Sequence, residues 1–193
     1  RETSYLLLAN LTRNVAWSAP LVYSVAIWVG VFHLSLRGYS WVFLLAGLTY
    51  FAGSNLAPAT VRRFTARGVF VVASTLQLAA ALAFGLATGN LAVAIFLFGG
   101  LVFFAGSFVA VALNILMQDS LPEARGAVLS LSATTQQAGA ALGGILGGVM
   151  LASLSAGALI PLVSLLIPVA IVALWLSARG FEATPVVESA MGD

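Results

Sequence analysis

Six apolar stretches, each long enough to cross a hydrocarbon layer of about 30 Å as a helix, leave this chain few ways to fold. They cover residues 4–36, 40–61, 67–88, 91–118, 125–153 and 156–178, and the breaks between them are short runs of Gly, Pro, Ser and charged residues. Only 7% of the 193 residues are charged, against about 25% in a soluble domain, so little sequence is left for anything outside a membrane. Strands are excluded by pattern. The runs are rich in Leu and Ala and lack the two-residue alternation that a closed membrane barrel requires. The expected fold is therefore an all-α membrane protein of six transmembrane helices over residues 1–178, followed by a cytoplasmic tail at 179–193.

Charge sets the expected orientation. With an even number of spans both termini share a side, and Arg1, Arg62, Arg63, Arg67, Arg125 and Arg179 fall on it, whereas Arg37 stands on the other. The positive-inside rule then makes the terminal side cytoplasmic and the location a cell membrane. The N-terminus lacks a secretory cleavage pattern, so the first span itself is expected to direct insertion. No lysine is present and no basic run or basic amphipathic helix points to nucleic acid. Cysteine is absent, His33 is the only histidine, and the carboxylates are scattered, so no nucleophile, triad or metal cluster can be assembled. Neither Ala105-Gly106-Ser107 nor Ala52-Gly53-Ser54 makes a serine elbow. The chain is not expected to be an enzyme, and no cofactor is implied.

Within the spans, polar and small residues fall on faces. In the fifth, Gly139, Gly143 and Gly147 recur every four residues, flanked by Gly144 and Gly148, which strips one side of the helix of side chains and lets another backbone lie against it. In the first, Asn10, Arg13, Asn14, Trp17, Ser24 and Trp28 share a stripe. Two readings of that stripe stand. It is a cavity wall in which Arg13 meets an anion, or the membrane begins near Val15 and Arg13 reaches the headgroups. The first span is also overlong at 33 residues, so it must tilt, project or kink, with Pro20 the obvious place. The fourth span carries Ser107, Asn114 and Gln118 on one side, and the fifth carries Gln136 and Gln137 ahead of its glycines. Both sets suit either a cavity or bonds between helices. Asn55 joins this polar group from the second span. The third and sixth spans have almost no polar groups and read as lipid-facing periphery, so the polar stripe recurs on the first member of each set of three, as a 3+3 inverted repeat would have it.

With these features assembled, the chain resembles one six-helix half of a major facilitator superfamily transporter. The stretch GSNLAPATVRRFTARG resembles the family's GxLADRxGRR loop: Gly53 leads in, and Arg63, Phe64 and Arg67 match, while Pro58 and Thr65 replace glycines and Arg62 an aspartate. LPEARG, which includes Arg125, is similar to the loop after the fourth helix of a half. The element after it resembles GxxxGPxxGG through Gly139, Gly143, Gly147 and Gly148, with Gly144 in place of proline. The degenerate loop is most similar to the C-terminal half, helices seven to twelve. The resemblance implies a secondary transporter that works by alternating access and exports small amphipathic compounds. It implies a second six-helix half as partner, whether from the same gene, a partner chain or a homodimer, besides membrane lipid and the small-molecule substrate. Candidate substrate contacts are Arg13, Asn14, Trp17, Asn114, Gln118 and Gln137. Proton coupling would rest on the other half, or on Asp119 or His33. The rival expectation is a non-transporting membrane module, a scaffold or anchor whose polar stripes serve only packing.

Overall fold

The structure, a computed structural model, describes residues 2–87 and 89–179. Among these, every regular element is helical: α1 (Glu2–Val22), α2 (Leu36–Arg63), α3 (Ala66–Leu86), α4 (Leu91–Val102), α5 (Ala110–Ser120), α6 (Arg125–Ser153), α7 (Leu159–Ser164) and α8 (Ile167–Arg179). Two segments are π-helical, Ala26–Val31 after α1 and Phe103–Val109 between α4 and α5. Four helical runs are long and apolar enough to cross a membrane: Leu36–Arg63, Ala66–Leu86, Leu91–Ser120 and Ala156–Ala178. They fit a multi-pass membrane protein. The α1 and α6 runs, diluted by amides, hydroxyls and glycine, are not among the four. Of the tail expected at 179–193, Arg179 ends α8 and the rest lies outside the described residues.

Local chemistry explains where the helices stop. The first helical run ends short of the 4–36 expected for the first span, because Ser35 caps α2 by accepting from the Gly38 amide at 3.2 Å, so residues 32–35 form the turn. His33 enters that turn with φ of 53°. Pro20 lies inside α1 without ending it, and the interruption falls three residues on, at Tyr23, ahead of the π segment. Thr65 and Asn90 cap α3 and α4 by accepting from Gly68 and Val93. The sixth run is broken at 165–166, because the ring of Pro168 cannot tolerate a regular turn over the Ser164 carbonyl.

Packing follows small residues. The glycine face of α6 lies on α1. A Cβ on Gly139 would sit 2.8 Å from the Leu11 carbonyl oxygen, one on Gly143 would sit 2.7 Å from that of Val15 and against the Ser18 hydroxyl, and one on Gly147 would meet the Tyr23 ring at 2.7 Å. The fourth run meets α2 in the same manner at Gly53, where a Cβ would come within 2.6 Å of Ser107 Oγ. Gly85 of α3 receives Pro161 of α7. In sum, α1 packs on α6, α7 and α8, the fourth run packs on α2 and α3, and α3 packs on α7 and α8.

One expectation changes. The third and sixth spans are not the periphery of this chain: α3 buries Phe70, Gln77 and Phe84, and of the four apolar runs α2 is the least enclosed. The backbone that lies against the glycine face of α6 is α1 of the same chain. Gly144 alone of that group has nothing within 4 Å of a built Cβ.

These contacts predict opposite outcomes for neighbouring glycines. Gly143→Ala forces α1 and α6 apart and costs about 1–3 kcal/mol, whereas Gly144→Ala, with open space and better helix propensity, gains about 0.5–1 kcal/mol. Thermal unfolding of the detergent-solubilised chain reads both; equal effects at the two positions would contradict this packing.

Candidate functional site

The buried residues of the bundle form two apolar clusters with a polar layer between them. One gathers Trp28, Phe84, Phe98, Leu101, Leu159 and Ile160, the other Leu6, Phe70, Leu113, Met117, Val128 and Leu174. Along each of the four most enclosed runs a polar stretch separates the two: Asn10, Arg13, Asn14 and Ser18 in α1, Ser74 and Gln77 in α3, Ser107 in the fourth run, and Ser164 in α7. Polar groups in an apolar interior need partners, and most of these have one.

The α1–α6 contact consumes several of them. Asn14 donates to the Asn10 carbonyl at 2.7 Å and to Asn10 Oδ1 at 2.9 Å, and Asn10 donates to the Ser132 carbonyl at 3.0 Å. The Ser18 hydroxyl donates to the Asn14 carbonyl at 2.7 Å and lies 3.4 Å from the carbonyls of Gly139 and Ala140. Tyr23 OH donates to the Gly144 carbonyl at 2.9 Å. The amide of Asn14, expected to face a substrate, is thus bonded to Asn10 of its own helix. Trp28 and Ser24 also leave the expected cavity wall. Trp28 is fully buried with its ring 5.3 Å from Phe98 and 5.8 Å from Phe84, and the Ser24 hydroxyl lies 3.0 Å from Tyr39 OH.

Arg13 differs from its neighbours. Only 5% of it is exposed, its Nη2 donates to the Ala105 carbonyl at 3.0 Å, and its Nε has no partner. The acceptor belongs to the π-helical segment, whose wider turn displaces carbonyls from regular bonding, a device often found at working sites. At the next residue, Gly106, a Cβ would lie 2.7 Å from the Tyr50 ring and 3.5 Å from Trp17. The absence of that Cβ lets α1, α2 and the fourth run converge beside the guanidinium. Trp17 is half-buried and Tyr50 is exposed, so this corner opens to the outside of the chain. Among the described residues the only ion pair is Arg67 with Glu2 at 3.0 Å, so Arg13 has no carboxylate. Sequence reasoning missed Tyr50 and the π segment; the small residues Ala105, Gly106 and Ser107 inside an aromatic run were the available sign.

The remaining candidates are spread out. Asn114 and Gln137 are exposed, as is Gln136, and Gln118 is half-buried. Asn55, also exposed, donates to its own helix at the Phe51 carbonyl. Of the motif residues, Gly53, Gly139, Gly143 and Gly147 are buried at helix crossings. Arg62 and Arg63 end α2 exposed, Arg67 pairs with Glu2 and thereby ties the start of α3 to the start of α1, and Arg125 opens α6 exposed. Among the described residues no group of His, Asp and Glu could hold a metal ion. No family model, curated protein or solved structure matches the chain.

A buried cation with one hydrogen bond and no counter-charge costs more in desolvation than that bond returns. Arg13→Met, similar in volume, is therefore expected to leave the stability of the solubilised chain unchanged or raised, as read by thermal unfolding. A loss above about 2 kcal/mol, the size of a hydrogen bond to a charged group, would show that Arg13 is held by more than the Ala105 contact.

Proposed function

We propose that the chain is one six-helix half of a secondary transporter of the major facilitator kind, moving small amphipathic compounds, in the export direction, by alternating access with a second half. The observation that carries this reading is a correspondence between helix pairings. The first span packs on the fifth and sixth as the fourth packs on the second and third, and the third and sixth pack on each other. A serine meets a glycine at both principal crossings, Ser18 with Gly143 and Ser107 with Gly53. Exchanging spans one to three for four to six reproduces the pattern, which is what a 3+3 inverted repeat entails, and such repeats place substrate sites near mid-membrane.

The polar layer supports the same reading. In a half-transporter the cavity wall is exposed until the second half covers it, and Asn114, Gln118, Gln137, Trp17 and Tyr50 are all exposed or half-buried. Arg13, without an acid partner among the described residues, would neutralise an anionic group of the substrate or a carboxylate of the second half. The hydrogen bonds of Asn10 and Asn14 favour the rival, a membrane module whose polar residues serve packing, but they account for only part of the layer. Neither Arg13 Nε nor the exposed amides are used by packing.

In membranes that hold the complete assembly, Arg13→Gln and Asn114→Ala should each reduce export of a fluorescent amphipathic dye about tenfold, the scale of one lost hydrogen bond to a charged group, with unchanged protein level. Export unaffected by both substitutions would leave the packing module as the better account.

A further inference from the structure

Besides the polar layer, the outer surface carries a groove with a mixed character. It has a volume of about 820 Å³ and lies between the end of α2, the first half of α3 and the fourth run. Its walls are apolar, formed by Val69, Val72, Leu76, Phe104 and Phe108, and its upper rim carries Arg62 and Arg63. Both arginines are exposed and neither has a carboxylate partner among the described residues. Arg63 only approaches the Phe64 ring, at 5.8 Å. Measured along α3 from Thr65 to Leu76, the groove is about 16 Å deep at 1.5 Å per residue, close to half of a hydrocarbon layer of about 30 Å.

We infer that this groove holds an anionic phospholipid, with its phosphate at Arg62 and Arg63 and an acyl chain along Val72, Leu76 and Phe108. The argument is one of matching: charge where a headgroup sits, apolar wall to the depth of one leaflet below it. Arg67, Glu2 and the ends of α1, α2 and α3 meet at the same level, so the arginines stand at the edge of the bundle where headgroups lie. Basic pockets between helices at this level are suited to anionic headgroups. A second groove, of about 580 Å³ between α2 and α4, is lined by Leu45, Leu48, Ile95, Phe96 and other apolar residues with no charge at its rim. It can take a chain but cannot select a headgroup. The inference requires only that the chain sits in a membrane and is independent of the transport reading.

Native mass spectrometry of the full chain in detergent, titrated with phosphatidylglycerol or phosphatidylcholine of the same acyl chains, tests it. Phosphatidylglycerol should bind the more tightly, and Arg62→Gln with Arg63→Gln should lower its affinity by about 30-fold, the product of two surface arginines, to the level of phosphatidylcholine. Thermal unfolding of that variant should not change, because both side chains are exposed. Val72→Trp, which fills the groove from an exposed position, should weaken binding of both lipids. Equal affinity for the two lipids in the unsubstituted chain would overturn the proposal, as would a preference that survives the double substitution. Full phosphatidylglycerol binding by Val72→Trp would overturn it too, since the arginines would then act without the groove.

Discussion

The bundle depends on backbones approaching where side chains have been removed. Between lipid and protein there is no hydrophobic gain to drive helices together, so contact area and hydrogen bonds between them must do it. Gly139, Gly143 and Gly147 allow α6 to descend on α1 until Asn10, Ser18 and Tyr23 reach its carbonyls. Gly53 does the same for α2, where Ser107 donates to the Tyr50 carbonyl at 3.0 Å and lies 3.4 Å from Ser54 Oγ. At both crossings a glycine supplies the space and a serine supplies the bond.

That arrangement determines where polarity can be kept. The close crossings sit between the two apolar clusters, so the amides and hydroxyls that serve them form a layer inside the bundle rather than a patch on it. Most of the layer is internally satisfied and is structural. Arg13 is the member that the layer does not satisfy. It lies where the π-helical segment presents the Ala105 carbonyl and where Gly106 admits Trp17 and Tyr50, next to the open side of the chain. The same small residues that seat the fourth run thus bring Trp17 and Tyr50 up beside Arg13.

Much of this was legible in the sequence, for a physical reason. Helical periodicity makes a face visible, so the glycine ladder, the α1 stripe and the all-helical class could be read directly. The identity of the neighbour could not, because a smooth helix face is complementary to any backbone; α1 of the same chain takes it, as no one-dimensional pattern records. The third and sixth spans were misread as periphery because an apolar residue suits lipid and protein equally, and Phe70, Phe84 and Ile160 show no difference in composition from lipid-facing residues. Trp28 was misplaced because its helical spacing sets it on the polar stripe of the first span, whereas its ring serves an aromatic core. The π segment leaves only a faint mark, a few small residues in an aromatic run.

The central claim, that glycine-seated crossings hold α1 to α6 and the fourth run to α2, is open to a direct test because the chain has no cysteine. Paired cysteines at Asn10 with Ser132, and at Ser54 with Ser107, replace side chains that lie 3.3 Å and 3.4 Å apart. Oxidative cross-linking in native membranes should close both disulfides within one chain in high yield. Failure of the second pair under conditions where the first closes would contradict the crossing of the fourth run on α2, and failure of both would contradict the bundle itself.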